Sequence, residues 1–349
     1  MRIAIIAPPW LPVPPRAYGG TEVVLDTLAR GLERAGHEVL LFASGNSTCP
    51  VPLAWHFDEA VGLGRPDGAL VEFRHVIAAY ERIRDFDIVH DHTLAGPVYA
   101  AGFSDRAVVT TNHGPFGEGL DELYRAICEK VSVIAISHAQ AAAALGIRLG
   151  GVIHHGVDTE EFPVGSGKGG YALFLGRMVA AKGVHVAAQV ALAAGVPLII
   201  AAKCSEPAEK SYFEQQVEPL LGQGVEFVGE VDQAGKRELL GGATCLLNPI
   251  VWPEPFGMVM LEALACGTPV VATHRGAAPE LVEDGVTGFL ADDLPGLVDA
   301  LKKVSGLDRT RCREVATERF SLARMIDRHL AVYESAIDEA ATRRLGYRQ

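Results

Sequence analysis

Two doubly wound, parallel-sheet α/β domains in succession are what this chain predicts, on three observations. Its 349 residues exceed one typical core and suit two domains of roughly 150–180 residues each. A strand–loop–helix–strand unit opens the chain, and such units build parallel sheets covered by helices. The same plan recurs from residue 171, after the glycine-dense stretch FPVGSGKGG at 162–170. The expected organisation is a first domain over 1–162, a linker over 163–170, a second domain over 171–322 and a closing helix over 323–349.

Each element has its own signal. Residues 2–7, RIAIIA, form a near-continuous apolar run of strand length, the pattern of a parallel strand buried on both faces. The prolines of PPWLPVPPRAYGG keep the next segment irregular. Thr21 fits an N-cap, Val24, Leu25, Leu28 and Leu32 share one helical face, and Gly36 closes the helix before the strand HEVLLFA. AVVTT, just before Asn112 and His113, is another strand. In the second half YALFLG (171–176) is a strand, a loop runs from Arg177 to Gly183, a helix spans about 184–194, and VPLIIAA is the next strand. Pro249, Pro253 and Pro255 then forbid regular structure. Phe256-Gly257 opens an apolar segment of helix formers that stops at Cys266-Gly267, where glycine suits the left-handed position past a helix end. The last stretch, 323–340, is amphipathic, with Met325, Ile326, Leu330, Tyr333 and Ile337 along one side.

Composition narrows the function classes. Apolar residues at 49% and charged residues at 21% describe an ordinary globular protein. A net charge of −12 argues against a nucleic-acid partner, which needs a basic footprint, and no Lys/Arg cluster marks a seat for anionic membrane. The apolar run in MRIAIIAPPW is too short for a secretory signal, and the run around 187–202 is broken by Gln189, Gly195 and Pro197, so no segment reads as transmembrane. The six cysteines form no C-x-x-C pair and no metal spacing, which suits reduced thiols in a cytoplasmic protein. Gly165 to Gly170 matches G-x-G-x-x-G, but it precedes a strand, whereas a dinucleotide loop follows one and opens a helix. A dehydrogenase is weak on that ground.

The residues that carry chemistry gather at strand ends. Glu254 and Glu262 bracket a loop-to-helix transition. The amides around Phe256, Gly257, Met258 and Val259 form the positive end of that helix, a seat for phosphate. Glu262 lies over a turn inside, within reach of ribose hydroxyls of the same ligand, and Glu254 reaches the group on the other side of the phosphates. Arg177 and Lys182, directly after a strand, supply two cations for a departing diphosphate, whose charge they stabilise without a metal. Gly19-Gly20 ends the first loop before a helix, where the lack of side chains lets backbone amides approach a phosphate. Glu22 beside it reads as a helix-dipole charge. His113 stands at the carboxyl edge of the first sheet, where doubly wound folds bind ligands. His90, Asp91 and His92 alternate in direction along a strand end and cannot all ligate one ion, so no metal is assigned.

Glu254-Pro-Phe-Gly-Met-Val-Met-Leu-Glu262 resembles the E-x7-E signature of retaining glycosyltransferases of family GT4. Arg177 and Lys182 resemble that family's R-x4-K pair, Gly19-Gly20 resembles its GG motif, and the resemblance extends over nearly the whole chain. It implies the GT-B architecture, two Rossmann-like domains facing each other across a cleft, with the donor on the second, the acceptor on the first, and a C-terminal helix crossing back to the first. It implies that Arg177 and Lys182 grip the diphosphate, that Glu262 holds the ribose, and that Glu254 and the Phe256–Val259 amides hold sugar and phosphate. Gly20 would complete the diphosphate contacts and His113 would lie close to the donor sugar. The sequence departs from the family's N-G-V-D turn, with His155 in place of Asn before Gly156-Val157-Asp158. His154 and His155 read as structural, and Glu280 is given no catalytic role.

The activity so implied moves a hexose from a nucleotide diphosphate sugar to a hydroxyl of a small-molecule or glycan acceptor. It retains the anomeric configuration by a front-face route and needs no cofactor. UDP-sugars are favoured as the commoner donors, with GDP-mannose next. The alternatives are a GT-B sugar-nucleotide 2-epimerase and a non-catalytic nucleotide-sugar-binding protein; sugar release from the donor alone separates the latter.

Overall fold

The opening apolar run forms β1 (Arg2–Ile6), in which Ile3, Ala4, Ile5 and Ile6 are all fully buried, as a strand covered on both faces requires. The computed structural model describes residues 1–103, 105–117 and 119–346, so the last three residues of the expected closing helix lie outside the described residues. Helix α1 (Gly20–Arg34) and strands β2 (Glu38–Ala43) and β3 (Leu53–Trp55) follow. Next come α2 (Gly68–Arg82), β4 (Ile88–Asp91), α3 (Ala95–Phe103), β5 (Ala107–Thr111) and α4 (Leu120–Ile127). β6 (Ser132–Ala135), α5 (His138–Ala142) and β7 (Leu149–Val152) complete the first sheet. Among the described residues that sheet has the order β3-β2-β1-β4-β5-β6-β7, parallel throughout. Strand order reverses between β1 and β4, so the loops after these two strands flank the switch point where such sheets bind ligands.

One expectation for α1 is corrected. The N-cap is Gly19, not Thr21, which lies in the first turn; a Cβ at Gly19 would stand 2.7 Å from Pro15 Cβ, so the tight loop exit demands glycine. Glu22 lies in the first turn as expected, where it is buried, and desolvation raises its carboxyl pKa.

The second half repeats the plan. β8 (Ala172–Arg177), α6 (Val184–Ala194), β9 (Leu198–Lys203), α7 (Pro207–Tyr212), β10 (Val225–Gly229) and α8 (Gln233–Gly242) lead to β11 (Cys245–Asn248). Then come α9 (Met258–Ala265), β12 (Val270–Ala272), α10 (Ala278–Leu281), β13 (Gly288–Leu290), α11 (Leu294–Lys303) and α12 (Arg309–Phe320). The described strands order as β10-β9-β8-β11-β12-β13, again parallel, with the switch between β8 and β11.

The chain divides into two units, one of residues 1–15, 19–156 and 322 onward, the other of residues 16–18 and 157–321. Residues 163–170, expected as a linker, are bonded into the second unit: the amides of Gly165, Gly167 and Gly169 donate to the carbonyls of Cys266, Gly241 and Gly242 at 3.0, 3.0 and 2.9 Å. A Cβ on Gly165 would meet Gly241 Cα at 2.1 Å, so this glycine permits close packing rather than chain flexibility. α13 (Leu322–Gly346) packs on α1 and β5 of the first unit, burying Met325, Ile326 and Tyr333. Each such side chain contributes about 1.5–3 kcal/mol by leaving water. The six cysteines are all free thiols, and no described helix is long and apolar enough to cross a membrane.

Candidate functional site

In the second unit the loops after β8 and β11 leave the sheet on either side of its switch point, and the backbone joins them. Val251 N donates to Ala181 O at 3.0 Å. Gly183 has φ +73°, and a Cβ there would fall 2.0 Å from Pro249 O, so only glycine allows this approach. The stitched loops bring two of the sequence-singled residues into contact: Lys182 Nζ donates to Glu254 Oε2. The same oxygen accepts Trp252 Nε1–H at 2.7 Å, and the Lys182 ammonium stands 5.4 Å from the Trp252 ring centroid. Ala277 N donates to Glu254 O at 2.9 Å, and a Cβ on Gly276 would meet that carbonyl at 2.1 Å, so this glycine lets the loop be held from behind. Phe256, buried against Phe320 with ring centroids 6.4 Å apart, anchors the turn into α9.

Helix α9 begins as expected. Gly257 is its N-cap at φ +93°, Met258 and Val259 open it half-buried, and Gly267 follows its end at φ +70°. The first amides of such a helix have no intrahelical acceptor. Glu262, a turn inside, is 2% exposed. Its partner escaped sequence reasoning: Lys236 Nζ, from α8, lies 2.5 Å from Glu262 Oε1.

Arg177 ends β8 inside a charged network. Its Nε donates to Glu209 Oε1 at 2.9 Å and its Nη2 to Glu206 Oε2 at 3.3 Å, while Lys203 Nζ reaches both carboxylates at 2.8 and 3.1 Å. Burial pushes the Glu209 carboxyl up, but hydrogen bonds from the amides of Glu206 and Ser205, from Lys203 and from Arg177 outweigh it and hold it at about 2. The guanidinium also stands 5.8 Å from the Tyr18 ring centroid. Neither Arg177 nor Lys182 is a bare cation; each is held by carboxylates that the motif does not announce or assigns elsewhere.

In the first unit Gly19 and Gly20 begin α1 after β1, and His113 follows β5. The His113 loop is clamped by Gln140, whose Nε2 donates to the carbonyls of Asn112 and Gly114 at 2.9 and 2.5 Å and whose Oε1 accepts Ile136 N at 2.6 Å. His113 Nε2 and His92 Nδ1 lie 2.9 Å apart, and the His155 ring stacks on His113 at 5.4 Å and 21°. Burial lowers the His113 pKa to about 4, so its imidazole is neutral at neutral pH. As strand alternation demands, His90 and His92 share one side of β4, with centroids 3.9 Å apart.

Two doubly wound units, the second with paired cations and carboxylates around a helix start at its switch point, define a GT-B glycosyltransferase that uses nucleotide-sugar donors. Residues 18–161 match the family described as Glycosyltransferase Family 4, and residues 169–305 that described as Glycosyl transferases group 1. The alpha-maltose-1-phosphate synthase of Mycobacterium tuberculosis is 30% identical over 347 residues, covering 85% of this chain and 87% of that one. The phosphatidyl-myo-inositol mannosyltransferase of Mycobacterium leprae is 27% identical over 379 residues, covering 96% and 97%. A glycosyltransferase involved in avilamycin A biosynthesis shares the fold with TM-score 0.72 and 26% identity, covering 97% of this chain and 98% of that one. Anabaena HepE, solved in complex with UDP and glucose, does so with TM-score 0.78 and 21% identity, covering 96% and 100%. The chain belongs to glycosyltransferase family 4.

Proposed function

We propose that this glycosyltransferase moves a hexose from a UDP-sugar to a hydroxyl of a soluble acceptor, with retention at the anomeric carbon. The observation that carries this reading is the Lys182–Glu254–Trp252 contact beside the start of α9, with Glu262 buried a turn behind it. A diphosphate competes with the Glu254 carboxylate for the Lys182 ammonium. Once it displaces that carboxylate, Glu254 is free to accept hydrogen bonds from hydroxyls of the sugar. Glu262 accepts from the ribose hydroxyls, the α9 amides meet phosphate oxygens, and Arg177 is the second cation. Within the first unit, the family resemblance gives the backbone at Gly19-Gly20 the role of a phosphate contact and His113 that of a sugar-hydroxyl contact.

As the bond between the anomeric carbon and the β-phosphate oxygen breaks, negative charge collects on the diphosphate, where fixed cations lower the barrier. The acceptor oxygen bonds to the anomeric carbon on the face the phosphate leaves, and its proton passes to the departing phosphate oxygen. The products are the glycoside and UDP. Every charge this route requires sits on the chain itself, so we assign it no metal and no cofactor. HepE binding UDP and glucose supports the donor, and the mannosyltransferase relative makes GDP-mannose the donor to compare.

Thermal melts with UDP-glucose, GDP-mannose and ADP-glucose test the donor, since only a ligand of the folded state raises the melting temperature by mass action. UDP-glucose is expected to give the largest rise, and proton NMR of the slow hydrolysis of UDP-glucose should show α-glucose first. Failure to cleave the donor would favour a binding protein, and release of a 2-epimerised sugar would favour the epimerase.

A further inference from the structure

Behind His113 the imidazoles of the first unit run in a row. Ring centroids step 5.4 Å from His329 to His90, 3.9 Å to His92, 5.1 Å to His113 and 5.4 Å to His155. Burial lowers the pKa of all five, so the row is neutral at physiological pH. A neutral imidazole has one N–H and one bare nitrogen, so hydrogen bonds decide where each proton sits.

His92 Nδ1 and His113 Nε2, 2.9 Å apart, share one proton. His90 cannot serve the far nitrogen of His92, because its Nδ1 is bonded to the Tyr333 hydroxyl at 2.7 Å and its Nε2 to Thr111 Oγ1 at 2.8 Å. His92 Nε2 is left without a partner in a side chain only 7% exposed. Two arrangements follow. If His113 Nε2 carries the shared proton, His92 Nε2 must be an N–H buried with no acceptor. If His92 Nδ1 carries it, His92 Nε2 is a bare acceptor and His113 keeps its own proton on Nδ1. Orphaned buried N–H groups are rarer than under-satisfied acceptors, which selects the second arrangement.

We infer that His92 is a positioning residue that holds His113 in the Nδ1–H tautomer, so that His113 meets a donor-sugar hydroxyl as a hydrogen-bond donor and not as a base. The clause about the sugar rests on the role proposed for His113; the tautomer does not. The other tautomer would present a bare Nδ1 that accepts from a sugar hydroxyl instead of donating to it, so the change falls on turnover rather than on holding UDP.

Long-range proton–nitrogen NMR of the ligand-free full chain, assigned with His92→Asn and His113→Asn, reads the tautomers directly. Both rings are expected to carry the proton on Nδ1 and to leave Nε2 bare; His113 with a protonated Nε2 overturns the inference. In His92→Leu, which removes the shared proton's partner, His113 should populate both tautomers and kcat for UDP-glucose hydrolysis should fall about tenfold at unchanged UDP affinity. His92→Asn, whose amide donates toward His113 Nε2, should restore most of that rate. Wild-type kcat in a folded His92→Leu also overturns the inference, and should that variant fail to fold, the wild-type spectrum decides. Adding UDP-glucose to wild type should move the His113 Nδ1 resonance. An unmoved resonance with the inferred tautomer present would refute His113 at the sugar and leave the tautomer assignment standing.

Discussion

Lys236→Met is expected to cost the second unit about 3–5 kcal/mol at pH 7, because it strands a carboxylate in the interior. Glu262 is 2% exposed and its Oε1 lies 2.5 Å from Lys236 Nζ. Breaking a buried pair from one side costs about 3–5 kcal/mol. Urea unfolding of variant and wild type at pH 7 measures this. Lys236→Met combined with Glu262→Gln, which removes the stranded charge, should recover most of the stability. A loss under about 1 kcal/mol would refute the claim that Lys236 compensates Glu262.

Lys182→Ala should lower kcat/KM by about two orders of magnitude or more with the fold intact, since it removes a charge that matters most as the diphosphate departs; near-normal steady-state kinetics would take Lys182 out of the mechanism. EDTA should leave activity unchanged, whereas complete loss restored by magnesium or manganese would overturn the charge accounting. The first unit should weaken on acidification. His75 and His329, 0% and 3% exposed, have pKa values lowered by burial from 6.5 to about 4. The unfolded chain takes up their protons first, so their stability is full above pH 6.5 and is lost as pH falls toward 4, at up to about 3 kcal/mol per residue. A urea midpoint that stays flat over this window would contradict the assignment.

The part of the site legible in the sequence is the part that lies on contiguous segments. Glu254, Gly257 and Glu262 sit on one loop and the helix it opens, so prolines, glycines and spacing place them. Arg177 likewise ends one strand and Lys182 follows shortly after it. What the sequence hid is how these groups are neutralised. Lys236 lies on another helix, Glu209 and Lys203 on the next crossover, and only the sheet order brings β8 and β11 together so that Lys182 meets Glu254. The row of imidazoles was equally illegible, because His329 comes from the far end of the chain on α13. Local chemistry also misled at residues 163–170, where glycine density resembles a flexible linker but answers the close approach of Gly241.

Calorimetric titration of UDP and of UDP-glucose into Glu254→Ala and Glu262→Ala tests the donor site most directly. Glu262→Ala should weaken UDP itself, and Glu254→Ala should spare UDP while weakening UDP-glucose, each by about 1.5–3 kcal/mol for a lost charged acceptor. Equal weakening of UDP by both variants, or the reverse pattern, would contradict the placement of ribose at Glu262 and sugar at Glu254.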